Sequence, residues 1–194
     1  MSQETIETKR LVIRTFILDN LPAIHRILDQ TFGDGSKVDD QAALLERQSW
    51  LQWSILSQEW LPKLHQPPYG DRAIILKPTG TVIGSVGYVP LLMPFEQIPE
   101  LKASTSASRY NTTEFGLFWA IDLAYQRQGY ATEAVQAMIA YAFKQLRLKR
   151  IIATTAYANV ASQGVMRKIG MKIMRNPLPD PPWLQIVGVL ENPD

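Results

Sequence analysis

The chain has 194 residues, 46% hydrophobic and 20% charged, with no cysteine and a formal charge of +2. That size and balance predict one globular domain over residues 1–194 and exclude a disulfide scaffold, a thiolate metal site and a covalent cysteine intermediate. The mild positive charge admits an acidic ligand but lacks the clustered basic face that nucleic acid requires.

The start, Met1 to Lys9, is polar and has no apolar core of signal-peptide length. The most apolar stretch, Thr81 to Phe95, is broken by Gly84, Gly87, Pro90 and Pro94. No membrane span is expected, and the expected address is the cytoplasm.

Arg10 to Arg14 alternates like a first strand, with Arg10, Val12 and Arg14 on one face. Asp19 is expected to cap a short helix carrying Leu21, Ile24, Ile27 and Leu28. After a glycine-containing loop at Gly33 to Ser36, Asp39 or Asp40 opens a longer helix through about Leu61. Trp50, Trp53 and Trp60 lie on it. Their spacing favours core packing over an acceptor pocket.

Ala73 to Leu76 and Val82 to Val89 read as a hairpin joined by Lys77-Pro78-Thr79-Gly80. Pro90 to Ser108 reads as a long loop. Thr113 to Ile121 is the next strand, Tyr130 to Leu146 a helix, and Arg150 to Ala156 a strand. Asn159 starts a short helix that ends at Gly170. Met171 to Met174 and Trp183 to Leu190 close the series. This order predicts an α/β fold, an α+β sandwich with one mixed sheet.

The segment with the most chemical content is Gln126-Arg127-Gln128-Gly129-Tyr130-Ala131. An apolar strand precedes it. After it Ala131, Ala134, Val135, Met138, Ile139, Ala142 and Phe143 mark one buried helix face. The first N–H groups of a helix have no intrahelical partner, and the helix dipole adds positive potential there. The pattern therefore points to a backbone site for a diphosphate-bearing cofactor.

Four segments resemble the GNAT acyltransferase superfamily, in particular its ribosomal-protein N-terminal acetyltransferase branch. Thr8 to Arg14 is similar to that branch's opening strand, and Glu114 to Ile121 to its central strand. Gln126 to Ala131 fits the cofactor turn, (Gln or Arg)-x-x-Gly-x-(Gly or Ala). Asn159-Val160-Ala161-Ser162, with Lys168, Gly170 and Met171 downstream, matches the last segment, Met171 standing where the branch usually has Phe.

The resemblance implies a single mixed, mostly antiparallel sheet flanked by helices, with two central strands splayed apart. It implies acetyl-CoA as acyl donor, with the backbone of Trp119, Ala120 and Ile121 along pantetheine. Gln126, Arg127, Gln128, Gly129, Tyr130 and Ala131 would hold the phosphates. Asn159 and Ser162 would lie by the thiol end or the arm.

Amide formation from a thioester needs an amine that has lost its proton, a polarised carbonyl and a stabilised leaving thiolate. Glu114 is the candidate base, directly or through water, with a solvated strand-edge role as the alternative. The N–H of Ala120 or Ile121 would polarise the carbonyl. The superfamily's acid Tyr falls here on Met166, so Ser162 is the candidate that hydrogen-bonds the thiolate. Its alternative, with Asn159, is a plain helix cap. His25 and His65 have no assigned role. No His/Asp/Glu cluster has ligand spacing, so no metal is expected.

The function expected is acetyl-CoA-dependent N-acetylation of a primary amine, either a protein N-terminus or a small molecule, by a monomer or homodimer. The alternative is a non-catalytic acyl-CoA-binding module. A Rossmann-type nucleotide site is disfavoured because G-x-G-x-x-G is absent.

Overall fold

The computed structural model describes residues 5–33, 35–102 and 110–193. Among the described residues, eight strands form one mixed sheet in the order β1-β2-β3-β4-β5-β6-β8-β7, with four α-helices. The chain resolves into two compact units, Met1–Tyr88 with Phe118–Met138, and Val89–Leu117 with Ile139–Asp194.

The first unit begins with β1 (Ile6–Glu7) and β2 (Leu11–Arg14), paired antiparallel. Leu11 and Ile13 are fully buried, while Val12 and Arg14 on the other face are half-buried, as the alternation predicts. Asp19 does not cap α1 (Leu21–Phe32); it lies inside a single 3-10 turn, Leu18–Asn20, that precedes the helix. Asn20 holds that turn, its Oδ1 accepting from Ile17 N at 3.1 Å and Arg14 Nη1 at 3.1 Å. Ile24, Ile27 and Leu28 bury one helical face.

Helix α2 (Gln41–Lys63) is capped by Asp40, whose Oδ1 accepts from Ala42 N at 2.8 Å. Trp50 packs edge-on against Phe16, ring centres 5.8 Å apart. Trp53 and Trp60 are 55% and 51% exposed, so core packing holds for only one of the three tryptophans. β3 (Gly70–Leu76) and β4 (Thr81–Met93) form the expected hairpin, with Gly80 at φ +68 in its turn. The apolar core of this unit gathers Phe16, Ile24, Ile27, Leu51, Ile75 and Ala120. On β4, Tyr88 is fully buried and donates its hydroxyl to Met138 O at 2.6 Å.

The second unit takes the end of β4, which runs on through Pro90 to Met93 where a loop was expected. Two short 3-10 turns follow, Phe95–Gln97 and Pro99–Leu101. The rest of the expected loop, 103–108, lies outside the described residues. β5 (Thr112–Ile121) pairs parallel with β6 (Arg150–Thr155) at Gly116 and Ile152. After α3 (Tyr130–Lys144) and β6 come α4 (Val160–Lys168), β7 (Lys172–Arg175) and β8 (Ile186–Glu191). β8 runs antiparallel to both β6 and β7. Phe95, Ile98, Ile152, Leu184 and Val187 form the core here. A Cβ at Gly188 would fall 2.8 Å from the sulfur of Met171 and 3.1 Å from that of Met166, so any larger residue here would have to push these thioethers aside. No helix among the described residues is long and apolar enough to cross a membrane.

Candidate cofactor and active site

In the first unit, the end of β5 delivers the chain to the expected cofactor turn. Ala120 O lies 2.2 Å from where a Cβ on Gly84 would stand, and Asp122 N donates to Ile83 O at 2.9 Å. The main-chain polar groups of Ala120 and Asp122 therefore face β4. A strand's N–H and C=O groups alternate sides residue by residue, so those of Trp119 and Ile121 point the other way. Of the two carbonyl-polarising donors expected, Ile121 N–H is the one not turned toward β4.

Asp122 ends the strand and starts the turn. Its Oδ1 accepts from Ala124 N at 2.9 Å and its Oδ2 from Arg26 Nη2 at 2.6 Å. Burial pushes the Asp122 carboxyl up, but the Arg26 hydrogen bond, the Ala124 amide and the Arg26 charge outweigh it and hold it below the usual range. Gln126 Nε2 donates to Ile121 O at 2.9 Å and Gln128 Nε2 to Ala124 O at 3.1 Å. These two side chains brace the turn, which leaves its backbone as the surface a ligand would meet.

Residues 126–129 are exposed, and Tyr130 and Ala131 half-buried. Arg127 and Gly129 take left-handed backbone, φ +60 and +84. Glu133 N bonds Gly129 O at 3.0 Å, so the amides of Tyr130, Ala131 and Thr132 open α3 without an intrahelical acceptor. An exposed bend followed by amides without intrahelical acceptors has the geometry that can take an anion.

One group at this bend escaped sequence reasoning. Arg10, which precedes β2, donates Nε to Glu133 Oε2 at 2.6 Å and Nη1 to Gln128 O at 3.0 Å. Glu133 Oε1 also accepts from Thr8 Oγ1 at 2.6 Å and Arg10 N at 2.8 Å. Burial pushes the Glu133 carboxyl up, but the three hydrogen bonds it accepts and the Arg10 charge hold it below its ordinary value. The guanidinium lies over the Tyr130 ring, 4.2 Å from its centre.

In the second unit, Asn159 caps α4, its Oδ1 accepting from Ser162 N at 3.0 Å. That is the plain helix cap weighed for Asn159. Ser162 is half-buried one turn into the helix, and Met166 on the same helix is fully buried. Glu114, the third residue of β5, is clamped by Arg150. Arg150 Nε donates to Oε2 at 2.9 Å and Nη2 to Oε1. The Glu114 side chain is only 10% exposed, and its hydrogen bond raises the Arg150 guanidinium further above its ordinary range. The pair lines a cleft of about 460 Å³ with Phe95, Leu101, Asn111 and Thr113. Glu114 is thus not a solvated strand-edge residue. A carboxylate with both oxygens in a guanidinium fork keeps spare lone pairs but not a free orientation. No group of three His, Asp or Glu side chains among the described residues could hold a metal ion.

The fold is shared with solved acetyltransferases. The ribosomal-protein-S5-alanine acetyltransferase of Vibrio fischeri aligns with a TM-score of 0.66 and 19% identity over 98% of each chain. RimL, a ribosomal L7/L12 α-N-protein acetyltransferase solved in complex with coenzyme A, aligns at 0.64 with 14% identity, over 97% of this chain and 98% of that one. At such identities the likeness is one of fold. YnaD of Bacillus subtilis, named an uncharacterised N-acetyltransferase, is 48% identical over 62 residues. That match spans 32% of this chain and about a third, 35%, of the relative. The acetyltransferase (GNAT) domain model matches residues 10–172, taking in the opening strand, the bend at Gly129 and the capped helix after Asn159. The chain belongs to the GNAT acetyltransferase family.

Proposed function

We propose that this chain transfers an acetyl group from acetyl-CoA to a primary amine by direct attack within a ternary complex. The observation that carries the reading is the bend before α3: an exposed turn, left-handed at Arg127 and Gly129, followed by helix-opening amides. In this reading Tyr130, Ala131 and the Gly129 backbone bind the diphosphate. Pantetheine runs along the main chain of Trp119 and Ile121. Ile121 N–H meets the developing oxyanion.

Glu114 takes the amine proton through a bridging water, using a lone pair that Arg150 leaves open, and Arg150 fixes its direction. The amine nitrogen then bonds the acyl carbon, the C–S bond breaks, and the nitrogen's surplus proton passes to the departing sulfur, which the Ser162 hydroxyl holds by a hydrogen bond. Asn159 holds the first turn of that helix. With no cysteine in the sequence, no thiol of the chain carries the acyl group on the way. The acceptor is a protein N-terminus or a small amine, and the cytoplasm is the compartment that supplies both.

The test is calorimetric titration with coenzyme A, followed by thiol release from acetyl-CoA with a panel of amines that includes peptide N-termini. Binding plus turnover of at least one amine class supports the reading. Binding without any turnover gives the non-catalytic module instead, a reading that the clamped Glu114 and the buried Met166 favour. Absence of binding refutes both.

A further inference from the structure

Arg10 carries more at the cofactor bend than an ion pair between β2 and α3 requires. Three of its nitrogens are committed: the backbone N and Nε to Glu133, and Nη1 to Gln128 O. Nη2 makes no hydrogen bond among those described, and it lies 3.4 Å from where a Cβ on Gly129 would stand. The Tyr130 ring beneath the guanidinium fixes its plane. A rigid N–H fork therefore ends beside the Gly129 backbone, with two protons unspent.

The partner of Arg10 bears on the same point. Glu133 sits in the first turn of α3, where its charge would oppose an incoming anion. Both its oxygens are taken up, by Thr8 and by Arg10. The carboxylate is thereby neutralised locally, and it orients the cation.

We infer that Arg10 is a cofactor-binding residue whose Nη2 donates to the diphosphate of coenzyme A at the Gly129 bend, with Glu133 and Thr8 as the residues that position it. This rests on the acyl-CoA reading above. Arginine suits the task because its planar fork can hold a carboxylate on one edge and a phosphate on another, which an ammonium cannot do from one fixed position.

The test compares wild-type protein with Arg10→Gln and Arg10→Lys, titrated with acetyl-CoA, with its dephospho form lacking the 3′-phosphate, and with S-acetylpantetheine lacking all phosphate. A charge-assisted hydrogen bond of ordinary strength corresponds to roughly a 10- to 100-fold loss of affinity in Arg10→Gln. The loss should be equal for acetyl-CoA and its dephospho form and absent for S-acetylpantetheine. Arg10→Lys should recover only part of it. A loss confined to acetyl-CoA would move the contact to the 3′-phosphate and overturn the assignment. So would an equal loss for S-acetylpantetheine, or affinity within twofold of wild type. If neither variant folds, arginine modification by phenylglyoxal on wild-type protein, read by mass spectrometry, decides: coenzyme A should shield Arg10, and unshielded Arg10 overturns the inference. Wild-type protein that binds no coenzyme A refutes the acyl-CoA reading itself.

Discussion

Arg26 on α1 and Asp122 at the end of β5 are joined at 2.6 Å, and their exposures differ sharply, 40% against 3%. The asymmetry predicts unequal costs. Arg26→Met strands a buried carboxylate with one amide donor and should lower stability by about 2–3 kcal/mol. Asp122→Asn leaves an arginine that water can reach and should cost about 1 kcal/mol. Asp122 is held below its unfolded value, so its contribution is present at neutral pH and fades as pH falls through the folded value. Denaturant melts of Arg26→Met and wild type should converge on acidification. A gap that stays constant with pH would show that the ion pair is not the cause.

Gly129→Asp should remove coenzyme A binding, by at least about 100-fold, while the fold survives. Aspartate tolerates the left-handed backbone at φ +84 better than most residues, so strain is modest. The new carboxylate would face Arg10 Nη2, 3.4 Å from its Cβ, and place negative charge where the diphosphate belongs. Circular dichroism and calorimetry on one sample separate the two effects. Native-like affinity would remove the bend from the site.

Glu114→Gln should reduce kcat by roughly 10²-fold or more, the usual scale of general-base loss, with coenzyme A affinity unchanged. The amide still accepts one hydrogen bond from Arg150, so the cleft wall should persist. If kcat is untouched and only stability drops, Glu114 serves the fold alone.

Asp71 on β3 is a half-buried residue whose Oδ1 is sealed from solvent and accepts no hydrogen bond among the described residues. Burial pushes it up from 3.8 to about 6, against the pull of Arg47. A raised carboxyl costs folding free energy wherever it must ionise: fully above the folded value, not at all below the unfolded one. Asp71→Asn should therefore stabilise the protein at pH 7 by about 2 kcal/mol and give no gain near pH 3. Equal gains at both pH values would rule out charge burial as the origin.

The sequence was a good guide wherever the signal was local. Asp40 before an apolar-periodic run, Gly80 in a four-residue turn and Asn159 at a helix start each act within a few residues, and each is where the pattern placed it. Asp19 misled because Asn20, one residue on, has the oxygen that reaches Ile17 and Arg14. Trp53 and Trp60 misled because bulk alone does not say which face a helix buries. The contacts that define the candidate site were illegible for a different reason. Arg10 and Glu133 are 123 positions apart, and Glu114 and Arg150 are 36 apart. No periodicity reports which residues meet at such separations. The direction of the Ala120 carbonyl likewise depends on Gly84 in another strand.

The glycine slot on β8 settles where oxidants can harm this protein. Lacking thiols, the chain keeps all its sulfur in thioethers, and two of them, the buried Met166 and Met171, pack close against Gly188, where an added methyl would have to displace them. A sulfoxide oxygen at either buried position would bring a polar group into this close packing, so peroxide damage there should register as lost stability, irreversible by thiol reductants and repairable only by enzymes that reduce methionine sulfoxide.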